Sequence, residues 1–173
     1  MTDTQEIIFT MAAMVLFSTI LLSANRMILR NDTMVVEGEL EYEVIALANN
    51  IIEESRVTAF DEETVTGFVP INIPTDFTAI GVDVGETTSD RSTFDDFDDY
   101  DGWSGTITTE QGDYTVSSEV TYLNSSTLQP TTSKSTLKQI TVTITNEFLT
   151  RNTANGETEK EYAFQFIRSY YAD

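Results

Sequence analysis

The chain has no cysteine and no histidine among its 173 residues. The first absence removes disulfides, zinc-thiolate sites and a cysteine nucleophile. The second removes the commonest general base and the commonest transition-metal ligand. Lysine is scarce as well, at Lys134, Lys138 and Lys160 only, and the net charge is −20. Nucleic acid is therefore a poor partner, because phosphate binding needs Lys and Arg. Such an acidic, lysine-poor surface favours solubility and suits high salt, where self-repulsion is screened. No glycine-rich phosphate loop is present, and the paired carboxylates sit among like charges rather than in an acid/base arrangement. The chain is read as a non-enzyme.

What is present begins at the N-terminus. Residues 7–24, IIFTMAAMVLFSTILLSA, contain no charge, no proline and no glycine. As a helix they span about 27 Å, close to a bilayer's hydrocarbon core. A secretory signal wants a basic leader segment and a shorter apolar core, whereas residues 1–6 here are acidic. The nearest positive charges, Arg26 and Arg30, come after the span. On the positive-inside rule alone they would hold the C-terminal head in the cytoplasm, unless a basic leader preceded the sequence.

The helical pattern continues to about Arg56. Apolar residues recur at Met27, Ile28, Met34, Val35, Leu40, Val44, Ile45, Leu47, Ala48, Ile51 and Ile52. The steps are mostly threes and fours, an amphipathic stripe. Asn31-Asp32-Thr33 and Gly38 are poor helix formers, where a kink or melted turn is expected.

Residues 57–103 read as an irregular connection carrying one or two short strands, punctuated by Gly67, Pro70, Pro74, Gly81 and Gly85. Strand patterns come next. Ser104–Thr109 and Tyr114–Leu123 flank Gln111-Gly112 as a hairpin. Leu137–Leu149 alternates, with Ile140, Val142 and Ile144 on one face. Glu159–Tyr170 is expected to pair with it across residues 152–156. The predicted fold is α+β: a helix over 1–56, with 7–24 as its membrane or core segment, packed on an antiparallel β-rich head over 57–173.

Three groups of residues carry candidate sites. Glu6 lies at the edge of the apolar run, either as a solvated helix N-terminus or as the partner of another subunit's α-amine inside an apolar bundle. Asp95, Asp96, Asp98, Asp99 and Asp101, followed by Gly102, supply oxygens that calcium could use, though not at EF-hand spacing. The alternative is an acidic turn whose Phe94, Phe97, Tyr100 and Trp103 pack on the core. Asn31 and Asn124 each open an N-x-S/T tripeptide, a glycosylation pattern that also arises by chance.

Two stretches sharpen the reading. Leu47-Ala48-Asn49-Asn50-Ile51-Ile52-Glu53-Glu54-Ser55-Arg56, running into Ala59-Phe60-Asp61-Glu62, and the segment Phe94–Trp103, resemble the helix end and acidic-aromatic segment of a group of bacterial pilin-like proteins. Together with the acid-headed apolar helix, they make the chain resemble type IV pilins and the related pseudopilins. That resemblance implies a subunit held in the inner membrane as a precursor. Pilus assembly machinery then moves it into an extracellular homopolymer with apolar helices inside and β heads outside. It implies that Glu6, with Ile7, Ile8, Phe9, Met11, Met14, Val15, Phe17, Ile20 and Leu21, carries assembly. Glu6 is the fifth residue if Met1 is removed, which is where the family places this acid. Such fibres serve adhesion, motility, DNA uptake or secretion. The competing expectations are a single-span anchored surface protein that binds a ligand or calcium, and a minor pseudopilin.

Overall fold

The computed structural model describes residues 2–153 and 156–172. One long helix, α1 (Thr2–Val57), is followed by a β-rich region, and the chain forms two compact units that divide at residues 40 and 41. The α+β class expected from the sequence is what the chain adopts. The unit boundary falls inside α1, so its last turns belong with the β strands.

In the first unit, α1 is unbroken through Asn31-Asp32-Thr33 and through Gly38, where the sequence predicts a kink or melted turn. A glycine costs only ~1 kcal/mol against alanine in a helix interior, and a single weak residue is carried by its neighbours once the helix has nucleated. The Thr33 hydroxyl adds a bond to the Leu29 carbonyl, 2.9 Å away.

In the second unit the main sheet is antiparallel. It is built from β1 (Ser104–Thr109), β2 (Gly112–Leu123), β4 (Leu137–Asn146) and β7 (Tyr162–Ser169), in that spatial order. The short β3 (Pro130–Thr131) also pairs with β2. The expected hairpin across Gln111 is present, with Thr109 opposite Gly112. β7 pairs with β4 as expected, with Ile140 opposite Phe166. Between these two strands a separate hairpin, β5 (Thr150–Thr153) and β6 (Gly156–Glu159), replaces the simple turn read from the sequence; residues 154 and 155 of that turn lie outside the described residues.

Alternation sets the core. On β4 the odd residues are half-buried, while Lys138, Ile140, Val142, Ile144 and Asn146 are buried. They join Tyr114, Val116, Val120 and Tyr122 of β2. Within the same unit, Val44, Leu47, Ala48 and Ile51 are buried along the end of α1. A fully buried Val, Leu or Ile contributes roughly 1.5–3 kcal/mol, so this stripe is a substantial share of the unit's stability. Polar contacts fix where the helix lies on β7. The Tyr162 hydroxyl donates to Glu41 at 2.7 Å, Lys160 pairs with Glu41 at 3.3 Å, and Arg168 donates to the Ser55 and Ala59 carbonyls.

The stretch 57–103 differs from expectation. Among the described residues it holds no strand, only the isolated bridge Ala59 to Asp96, the short helix α2 (Glu62–Val65) and two single 3₁₀ turns, Arg91–Thr93 and Asp98–Tyr100. Its short apolar runs stay exposed at Phe68, Val69 and Ile71, and single residues elsewhere anchor the stretch. Phe77 packs against Phe60 and Tyr170 at 5.2 Å from each, and the Lys134 ammonium donates to the Phe77 carbonyl.

Candidate functional site

The N-terminal unit exposes its apolar residues. Ile7, Ile8, Phe9, Met11, Met14, Val15, Phe17, Ile20 and Leu21 are each more than half exposed, and Glu6 at their head is exposed too. Polar residues within the run satisfy themselves: Thr10 donates to the Glu6 carbonyl, Ser18 to Met14 and Thr19 to Leu16. A hydroxyl bonded to its own helix can enter an apolar medium without leaving a donor unpaired. By length and composition α1 contains a segment apolar enough to be a membrane anchor or a signal sequence. Exposure does not stop where that segment stops. Met27, Ile28, Leu29, Met34, Val35 and Val36 are all at least 54% exposed, so apolar surface extends about 45 Å along the helix from Ile7.

The second feature lies in the β unit, where Lys138 projects from the apolar face of β4. Its ammonium is wholly buried and spends its three donors on the Phe60 carbonyl at 2.8 Å, Asp61 Oδ2 at 2.9 Å and Asp98 Oδ1. Three donors meeting three acceptors is full satisfaction for this group. The rings of Phe60 and Tyr122 face the same nitrogen at 4.7 and 5.3 Å. Asp61 is a junction. It caps α2, forms a capping box with Thr64, accepts from the Thr78 backbone at 2.9 Å and receives the Tyr122 hydroxyl at 3.4 Å.

The five aspartates singled out in the sequence do not converge on one point. Asp98 is turned to Lys138, and Asp101 accepts from the Val120 backbone at 2.9 Å, tying the segment to β2. Asp96 and Asp99 fold the turn itself. Asp96 Oδ1 accepts from the Asp98 and Asp99 backbones, and Asp99 Oδ2 from those of Asp95 and Asp96. Phe94, Phe97, Tyr100 and Trp103 are buried. Gly102, at φ 72°, turns the chain from this segment into β1 in a conformation that disfavours a side chain.

Three of the five do meet carboxylates from elsewhere. Asp96 comes together with Glu62 of α2 and Asp83, and Asp95 and Asp99 with Glu86; within each triad the facing oxygens lie within 4.8 Å of one another. The Asp83–Glu86 turn is closed by its own bond, Asp83 N to Glu86 Oε2 at 3.1 Å. Burial and neighbouring charge oppose ionisation here. Desolvation, then the charges of Asp98 and Asp99, pushes Asp96 up to about 9. Desolvation, then a side-chain hydrogen bond with Asp99, raises Glu86 to about 7. Asp98 is raised only to about 6, because the Lys138 charge offsets its burial. Glu62, Asp83 and Asp95 are raised as well, each mainly by burial.

Lys138, Glu62, Asp83 and Glu86 are not legible as site residues in the sequence. Lys138 has a visible mark: it occupies the apolar register of β4, two residues before Ile140. Of the other three, Glu62 lies far up the chain from the turn it faces and Asp83 and Glu86 lie in the irregular stretch just before it, and nothing local announces them. Of the glycosylation candidates, Asn31 sits within α1, while Asn124 stands exposed in a turn after β2, its Oδ1 accepting from the Ser126 and Thr127 backbones. Met1, on whose removal the numbering of Glu6 as fifth residue depends, lies outside the described residues. No protein-family model, no curated protein and no solved structure matches this chain.

Proposed function

We propose that this chain is a structural subunit of a type IV pilus-like extracellular filament, held in the inner membrane before assembly and polymerised through its N-terminal helix. The observation that carries the reading is the length of exposed apolar helix. A bilayer core covers about 20 helical residues, yet apolar side chains stay exposed from Ile7 to Val36, past Arg26, Arg30 and Asp32. Lipid can cover the first part of that surface, and another protein surface suits the rest. Patches of this size on soluble proteins mark interaction sites. In a polymer of identical chains each helix would be buried by its neighbours, and the same contact repeated along a fibre accumulates stability. Glu6 then meets a neighbouring α-amine in a weakly screened apolar setting.

Mechanical shearing of cells, followed by detergent extraction, tests the proposal. A filament subunit leaves the cell in the sheared fraction and resists detergent as a polymer. A permanently anchored single-span protein stays in the membrane pellet and dissolves as a monomer in detergent, which would overturn the filament reading.

A further inference from the structure

The β unit gathers six carboxylates from three separate segments into two adjoining triads, Glu62–Asp83–Asp96 and Glu86–Asp95–Asp99. Proximity of acids alone does not make a site. Here each triad also contains a buried member with an oxygen that no backbone N–H, hydroxyl or cation reaches, Asp96 Oδ2 in the first and Asp99 Oδ1 in the second, and the side-chain neighbours that share protons with these two residues are themselves carboxyls, Asp98 and Glu86. Asp83 Oδ2 in the first is likewise buried and without a partner. A buried polar atom left without a partner costs free energy, more so when it is charged, and protein interiors rarely tolerate several together. The opposite oxygens of Asp96 and Asp99 are fully used by backbone donors, so both side chains are fixed in place rather than free to turn to solvent. Lys138 gives the triads no hydrogen bond, because its three donors go to Phe60, Asp61 and Asp98, and its charge offsets the burial of Asp96 and Asp83 only in part.

We infer that the Asp83–Glu86 turn, the Asp95–Asp99 turn and Glu62 together form a calcium-binding cradle in the β unit. The donor set is all oxygen and all carboxylate, which is hard-cation chemistry, and the chain has no cysteine or histidine to draw a softer metal. Calcium accepts six to eight oxygens in flexible geometry and so fits carboxylates converging from several segments. Magnesium demands a compact octahedron and keeps most of its water. Both turns are closed by their own hydrogen bonds, so little ordering remains to oppose binding. Glu62 and Asp95 are exposed and give the ion a way in. The cradle uses residues of the β unit alone and holds whether or not the chain forms filaments.

The test uses the full chain in detergent micelles, stripped with a calcium chelator and titrated with calcium chloride. Calorimetry reports binding, and fluorescence of the single, buried Trp103 reports unfolding of the unit. The expected result is binding with a dissociation constant on the order of 0.1–1 mM, the range of extracellular calcium modules, and a higher unfolding midpoint in calcium. The double variant Glu62→Gln/Asp95→Asn should bind at least about tenfold more weakly. In chelator it should unfold no earlier than the parent, since it removes two mutually repelling charges from the surface. A control, Glu110→Gln in the β1–β2 turn, should bind like the parent. Absence of binding up to about 10 mM calcium would overturn the inference. So would parental affinity in the double variant, or equal stabilisation by sodium chloride at matched ionic strength, which would reduce the effect to screening.

Discussion

The ammonium of Lys138 and the carboxylate of Asp98 form an ion pair in which neither side chain has any solvent exposure. The pair joins β4 of the main sheet to the irregular acidic turn, and through Asp61 the same nitrogen also holds the start of α2. A lysine in an apolar strand register is thereby the fastener of a stretch that contains no regular sheet of its own.

Replacing it with an apolar residue of similar length leaves two carboxylates buried without their cation. Breaking a buried pair from one side typically costs about 3–5 kcal/mol. Lys138→Met should lower unfolding stability by about that amount, read from denaturant midpoints of Trp103 fluorescence. Adding Asp61→Asn and Asp98→Asn to the same chain should recover part of the loss. A Lys138→Met protein as stable as the parent would show that the pair contributes nothing net.

Metal-free protein should lose stability as pH rises. Asp96, Glu86 and Asp98 are raised to about 9, 7 and 6 in the folded state, all by burial first. In the unfolded chain such groups titrate near 4. Between about pH 4 and those raised values the folded state therefore holds protons that the unfolded state has released, and stability falls with increasing pH. Glu41 has the opposite sign: its hydrogen bond from Tyr162 lowers its value, so its contribution is lost only in acid below about pH 4.5. The urea midpoint in chelator should be lower at about pH 8 than at about pH 5. A midpoint that rises across that interval would contradict the reading of Asp96 and Glu86 as uncompensated and of Asp98 as only partly offset by Lys138.

Gly38 bears on the long helix. A methyl group placed there meets nothing within 4 Å in this chain, and the surrounding backbone is helical. Gly38→Ala should raise the helix's stability in micelles by up to ~1 kcal/mol, measured as thermal loss of far-ultraviolet circular dichroism. A loss of helix instead would mean that the continuous helix depends on a glycine there.

Much of the architecture was legible because it rests on periodicity. The apolar run, the three-and-four stripe ending at Ile52 and the alternation of Ile140, Val142 and Ile144 each dictate a local conformation. The strands expected in 57–103 failed for the complementary reason. Phe68-Val69 and Ile71-Asn72-Ile73 are too short to show a period, and that region is instead held by side-chain bonds such as Thr78 to Asp61 and Lys134 to Phe77. The β5–β6 hairpin was missed because Thr150–Thr153 and Gly156–Glu159 carry no apolar alternation. The acidic segment announced its carboxylates but not their duties. Asp98 and Asp101 serve the fold, while Glu62, Asp83 and Glu86 reach the same place through tertiary structure.

Glu6 should matter for polymerisation and not for folding. It is exposed in the single chain, so Glu6→Ala should leave the β unit's unfolding midpoint unchanged. The amount of sheared polymer should fall by at least about tenfold, equivalent to losing roughly 1.4 kcal/mol at each subunit contact. Normal yields of polymer from Glu6→Ala would remove the proposed role for this carboxylate.

The filament reading is tested most directly by electron microscopy of the fraction sheared from cells, with mass spectrometry of its principal protein. The account predicts thin fibres whose main component is this chain, with apolar N-terminal helices packed together along the fibre axis. A sheared fraction without fibres, with the chain wholly in the membrane pellet and dispersed by detergent, would contradict it.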